Sequence, residues 1–121
     1  MTVTILQINL HHCKEAAAAL LLHLSTGATD IVLIQEPYVV GGKVCGIGTT
    51  DFKLLHVKSE GSQRTCILAR KNLNIFLLPN FSGKDQTAAS LEIGNRSYLL
   101  VSSYLPYDDA VAPTVLFQNE H

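Results

Sequence analysis

At 121 residues the chain has room for at most one domain. Its 47% hydrophobic content supports a real core and excludes a disordered chain. A net charge of −1 leaves no global electrostatic footprint for nucleic acid, so any contact with DNA must be local.

The first stretch, TVTILQINL from Thr2 to Leu10, reads as a strand with Asn9 near its end. No basic start precedes an apolar run there, so a secretory signal is not expected. Cys13 to Ser25 predicts a helix. Cys13, Ala16, Ala17, Leu20, Leu21 and Leu24 form one apolar stripe at helical spacing, and Gly27 supplies the stop. The longest apolar run, Ala16 to Leu22, is too short to span a membrane. Ile31 to Ile34 is continuously apolar and β-branched, as in a strand covered on both faces. Pro37 has no N–H for a ladder and ends that strand, which leaves Glu36 at its carboxyl edge. Strand, helix, strand at this length is a βαβ unit with parallel strands. If the two strands are neighbours, Asn9 and Glu36 emerge at the same sheet edge, where open α/β sheets build their sites.

Gly41, Gly42, Gly46 and Gly48 punctuate the next segment around a short strand, Lys43 to Ile47. No Lys-Ser/Thr follows at phosphate-loop spacing, so these are turn glycines. Phe52 to Val57, Arg64 to Arg70 and Leu73 to Leu78 read as strands, with a turn at Glu60-Gly61-Ser62 and a loop from Pro79 to Asp85. Ala88 to Ile93 pairs with Ser97 to Leu105 through Gly94-Asn95. Asp108 to Pro113 is a second loop, and Thr114 to His121 has the pattern of a helix cut short. Cys13, Cys45 and Cys66 are odd in number and lack CxxC spacing, which fits a reduced, intracellular chain.

This is an α/β pattern with about seven or eight strands and one complete helix. Several strands are apolar on both faces, and one helix covers part of one face only. Leaving the other face bare would forgo on the order of 10–20 kcal/mol at about 1.5–3 kcal/mol per side chain. A layer is therefore expected from elsewhere, either a second copy or the remainder of a longer sheet-on-sheet protein. The unfinished helix favours the latter.

The strand-end Asn9 in Gln7-Ile8-Asn9, the Gln35-Glu36 pair and Tyr104-Leu105-Pro106 together resemble the endonuclease/exonuclease/phosphatase superfamily. The segments LQINLHHCK, IQEPYV, RTCILARKNLN and VSSYLPYD more closely resemble the apurinic-type endonuclease domain of non-LTR retrotransposons. The resemblance implies a four-layer α/β/β/α sandwich, of which residues 1–121 would be the N-terminal portion of a single domain. It further implies a DNA endonuclease with Mg²⁺, or Mn²⁺ in its place, that nicks target DNA to prime reverse transcription. Its partners would be the DNA phosphate backbone, the C-terminal half of the domain and a reverse transcriptase domain, with no membrane. The full element would act in the nucleus. The family's Asp-x-Asn motif and terminal Asp-His pair do not occur in these 121 residues, and His121 follows Tyr104 too closely to be the catalytic histidine. Inactivity of the fragment alone is the expectation.

Under this resemblance Glu36 is the metal ligand, Asn9 orients the carboxylate or a metal-bound water, and Tyr104 donates to a phosphate oxygen. Taken singly, Glu36 is also an ordinary strand-end glutamate, Asn9 an early helix cap, and Tyr104 equally a half-buried strand tyrosine. His11-His12-Cys13 lacks the ligand spacing of a zinc site and reads as the strand–helix turn. His23 and His56 read as partly buried residues without a special role. Arg64, Arg70 and Lys71 read as a solvated strand-end cluster with the chemistry to touch phosphates. Two other functions remain open: a superfamily phosphatase or phosphodiesterase acting on a non-DNA substrate, and a catalytically inactive mobile-element remnant or protein-binding fragment.

Overall fold

The computed structural model describes residues 2–58 and 63–105, together with the backbone of residues 118–120. The Glu60-Gly61-Ser62 turn, the 108–113 loop, Pro106 and His121 lie outside the described residues.

The chain opens with β1 (Ile5–Asn9), α1 (Lys14–Leu24) and β2 (Ile31–Gln35). Cys13 is the N-cap of α1 with extended backbone, and Gly27, at φ 81°, follows the last turn. Ala17, Leu20 and Leu24 are buried along one side of the helix, as the stripe predicts. β1 and β2 are parallel neighbours with Asn9 opposite Gln35. A short hairpin, β3 (Val39–Val40) and β4 (Lys43–Val44), turns through Gly41-Gly42 at φ 59° and 80°. Positive φ at both centres is what a two-residue type I′ turn requires. β5 (Phe52–Leu55) and β6 (Thr65–Arg70) complete a first sheet in the order β1-β2-β6-β5.

β7 (Asn74–Leu77), a 3₁₀ turn at Pro79–Phe81, β8 (Gln86–Ile93), β9 (Arg96–Ser103) and β10 (Gln118–Glu120) follow. The second sheet has the order β10-β9-β8-β7 and is wholly antiparallel. The β8–β9 hairpin turns on Gly94-Asn95, with Gly94 at φ 59° and Ile93 opposite Arg96. Residues 118–120 are therefore strand, not the helix that the 114–121 pattern predicts; residues 114–117 lie outside the described residues.

The first sheet is covered on both sides by this chain. Val32, Ile34, Cys66 and Leu68 pack with Ala17, Leu20 and Leu24 of the helix. Ile31, Leu33, Ile67 and Ala69 pack with Ile75, Ala89, Leu91 and Leu100 of the second sheet. The strands divide between two sheets that cover one another, as the α/β/β/α resemblance implies. The face without a described cover is the outer side of the second sheet, so the described residues make three layers, helix, sheet and sheet. All three cysteine thiols are free. Among the described residues no helix is long and apolar enough to cross a membrane.

Candidate functional site

The carboxyl ends of β1 and β2 stand side by side, and the loops that leave them are tied together. Leu10 N–H donates to Gln35 O at 2.9 Å, and His12 N–H donates to Glu36 O at 2.9 Å. His12 Nδ1 lies 3.0 Å from Pro37 O. Asn9 Oδ1 accepts from His11 N–H at 2.8 Å, so its amide shapes the turn and does not cap the helix. That turn brings His11 Nδ1 within 3.4 Å of Glu36 Oε2.

The backbone here is unusual. His11, His12 and Glu36 have φ of 51°, 54° and 48°, and they are the non-glycine residues with positive φ among those described. A left-handed residue with a Cβ costs roughly 1–2 kcal/mol, and Pro37 crowds Glu36 further. Such strain persists only where the surroundings over-determine it, and it clusters at functional positions. Here the cross-strand bonds from Leu10 and His12 supply the restraint.

Across the gap, Tyr104 stands just past the end of β9, its N–H donating to Asp85 O at 2.9 Å. Burial raises the Tyr104 phenol above its usual value first; the Glu36 carboxylate then raises it through charge and by accepting a hydrogen bond, while Arg64 opposes both. The hydroxyl, protonated at neutral pH like any phenol, keeps its proton further into the alkaline range and is able to donate. Arg64 lies over the Tyr104 ring, 5.4 Å from its centroid, and 3.4 Å from Asp85 Oδ1. Its backbone links the sheets: Glu36 N–H donates to Arg64 O, and Arg64 N–H to Lys84 O, both at 2.8 Å. His12, Arg64, Tyr104 and the Gly41-Gly42 turn line a polar cleft of about 540 Å³.

The structure thus brings Asn9, Glu36 and Tyr104 to one rim. It separates the basic cluster: Arg64 is at this rim, whereas Arg70, at the far end of β6, pairs with Asp30 at 3.0 Å. His23 is exposed and bonds Thr29 Oγ1 at 2.9 Å. Sequence reasoning placed His11 and His12 in the turn without linking them to Glu36, and missed Asp85. Only four residues separate β1 from α1, so the chain must turn sharply at His11-His12, which is the signal for the first two. Asp85 sits in a loop without periodicity and had none.

Among the described residues no three His, Cys, Asp or Glu side chains gather as a metal cluster. The rim offers oxygen donors, the Glu36 carboxylate and the Asn9 amide. That set fits a hard divalent cation that keeps most of its water, and does not fit a closed protein cage.

No family model matches the chain, and no curated protein matches it. Among solved structures it is similar to the endonuclease domain of TRAS1, a telomere-specific non-LTR retrotransposon, with a TM-score of 0.72 and 24% sequence identity. The likeness covers 89% of this chain and 47% of that one, so the chain spans about half the length of its structural neighbour. At the level of fold it agrees with the motif resemblance: the helix and two sheets of this chain have the fold of about half of a non-LTR retrotransposon endonuclease domain.

Proposed function

We propose that this chain is the N-terminal portion of a Mg²⁺-dependent DNA endonuclease domain of a retrotransposon. The full domain would nick nuclear target DNA to prime reverse transcription by its companion polymerase domain. The observation that carries the reading is the strained carboxylate: Glu36, at φ 48°, is aimed at the rim where His11 and Tyr104 meet it. The fold shared with TRAS1 endonuclease supports the substrate class.

In this reading Glu36 holds the cation, with Asn9 fixing the turn beside it. When bound, such a cation stabilises the charge that develops on a phosphodiester under attack by water. Tyr104 keeps its proton and donates it as a hydrogen bond to a phosphate oxygen. Arg64, braced by the Tyr104 ring and Asp85, adds positive charge to the cleft. A general base and further phosphate ligands are left to the other half of the domain, so these 121 residues alone should not cleave.

Two measurements test this. Residues 1–121 in Mg²⁺ should leave supercoiled plasmid intact; nicking that vanishes in Glu36→Ala would show the chain to be sufficient by itself. Substoichiometric Mn²⁺ should broaden the amide signals of Asn9, His11 and Glu36 in the wild type and spare them in Glu36→Gln. Equal broadening in both proteins would refute Glu36 as the ligand.

A further inference from the structure

The facing sides of the two sheets carry their side chains in successive levels, from the base of the sandwich to the rim. On the first sheet Ile31 and Ala69 stand at the base, Leu33 and Ile67 above them, and Gln35 and Thr65 at the rim. Opposite them the levels are Leu91 with Tyr98, Ala89 with Leu100, and Thr87 with Ser102. The lower levels belong to the apolar core, whereas the rim level is polar throughout, with its four residues at most 1% exposed. Two hydrogen bonds cross the gap there. Gln35 Nε2 donates to Ser102 Oγ at 2.9 Å, and the Thr65 and Thr87 hydroxyls meet at 2.8 Å. Ser102 Oγ also donates to Ile34 O at 2.9 Å, which anchors it to β2, the strand that Glu36 follows.

We infer that this polar level is a clasp that sets Glu36 of the first sheet against Tyr104 of the second, making Gln35, Ser102, Thr65 and Thr87 positioning residues. Glu36 is the next residue after Gln35, and Tyr104 is two beyond Ser102. Apolar contact is non-directional, and apolar cores lose uniqueness before they lose stability. Hydrogen bonds impose distance and angle, so a small slide of one sheet over the other breaks them. Stability alone is a poor reason for this choice of residues. Gln35 Oε1 is buried without a hydrogen-bond partner among the described residues, a penalty that an apolar side chain would avoid. A second path joins the sheets along the surface through the backbone of Arg64 and Lys84, and the test must separate the two.

The inference rests on Glu36 and Tyr104 being the site residues, so the test is made on the full 121-residue chain without metal. Nuclear Overhauser contacts of the Tyr104 ring with Arg64 and Glu36 report the rim, and contacts among Leu33, Ile67 and Leu100 report the core. Ser102→Ala and Gln35→Met should each weaken the rim contacts severalfold and leave the core contacts unchanged, while Ser102→Thr restores the rim. Rim contacts retained in both folded variants would overturn the clasp and credit the backbone path. Loss of rim and core together would reduce it to ordinary packing. The wild type gives an answer even if the variants do not fold: the Gln35 side-chain amide protons should exchange on the order of a hundredfold slower than a free glutamine's. Exchange at the free rate would overturn the inference. Failure of the Mn²⁺ experiment would leave all of these results standing, which keeps the two readings separable.

Discussion

Glu36 joins a left-handed backbone to a charged side chain, and the two can be separated by substitution. Glu36→Ala and Glu36→Gly both remove the carboxylate, but only glycine accepts φ 48° without strain. Glu36→Gly should therefore unfold at higher denaturant than Glu36→Ala, by about 1 kcal/mol. Equal stabilities would mean that the strain is relaxed elsewhere. Cys66 makes a second prediction. Burial raises its thiol far above the usual range, so the folded protein keeps the proton while an unfolded thiol loses it. The unfolded state then binds fewer protons, and stability should be complete below about pH 8.5 and decline above it. Cys66→Ala should flatten that alkaline slope in denaturant titrations run across the pH range. The position of Asn9 and Glu36 was legible from the sequence because parallel βαβ spacing fixes where strand ends fall. The contacts of Asn9 were not, since one amide serves a turn or a metal-bound water with the same chemistry.

At the scale of elements, the strongest signals were periodic or conformational. The helix stripe, the continuous apolar run of β2 and the Gly94-Asn95 turn each carry one physical requirement, and each predicted its element. Gly94 allows a direct check. A Cβ there meets nothing within 4 Å, so Gly94→Ala should cost about 1 kcal/mol through its φ of 59° alone. Gly48 is equally open without a positive φ, and Gly48→Ala should be neutral in the same denaturant titration. The short β3–β4 hairpin was half seen, because two-residue strands have no periodicity to read. Over residues 118–120 the helix pattern gave way for a related reason: a few apolar residues before them suit a helix turn or a strand, and pairing with β9 settled those three as strand. The division of strands between two sheets was not legible from the apolar runs and came only with the motif resemblance. Apolar runs announce that both faces are covered, but not by which neighbour.

At the scale of the whole molecule, Leu22 and Val40 are exposed singly on the helix and the short hairpin, whereas exposed aromatic side chains among the described residues lie on the outer side of the second sheet and beside it. Phe76 and Phe81 are 45% and 64% exposed there, next to a groove formed by Leu78, Ala88, Leu99 and Val101. Patches of this kind drive association. The isolated chain should therefore self-associate in sedimentation experiments, and Phe81→Lys should shift it toward monomer without lowering its unfolding midpoint. An unchanged distribution would place the contact elsewhere. The separation of the sheets along the sequence has a consequence for synthesis. Strands β1 to β6 end at Arg70, and the β8–β9 hairpin is complete only at Ser103. At about 5–20 residues per second the ribosome needs roughly 2–7 s to make the intervening segment. Throughout that interval Ile31, Leu33, Ile67 and Ala69 lack their cover, so the nascent chain passes through a stage open to chaperones and to misassembly. Hairpins close in about 1–10 μs once their turn is available. Translation, rather than hairpin formation, sets how long that apolar face stays bare.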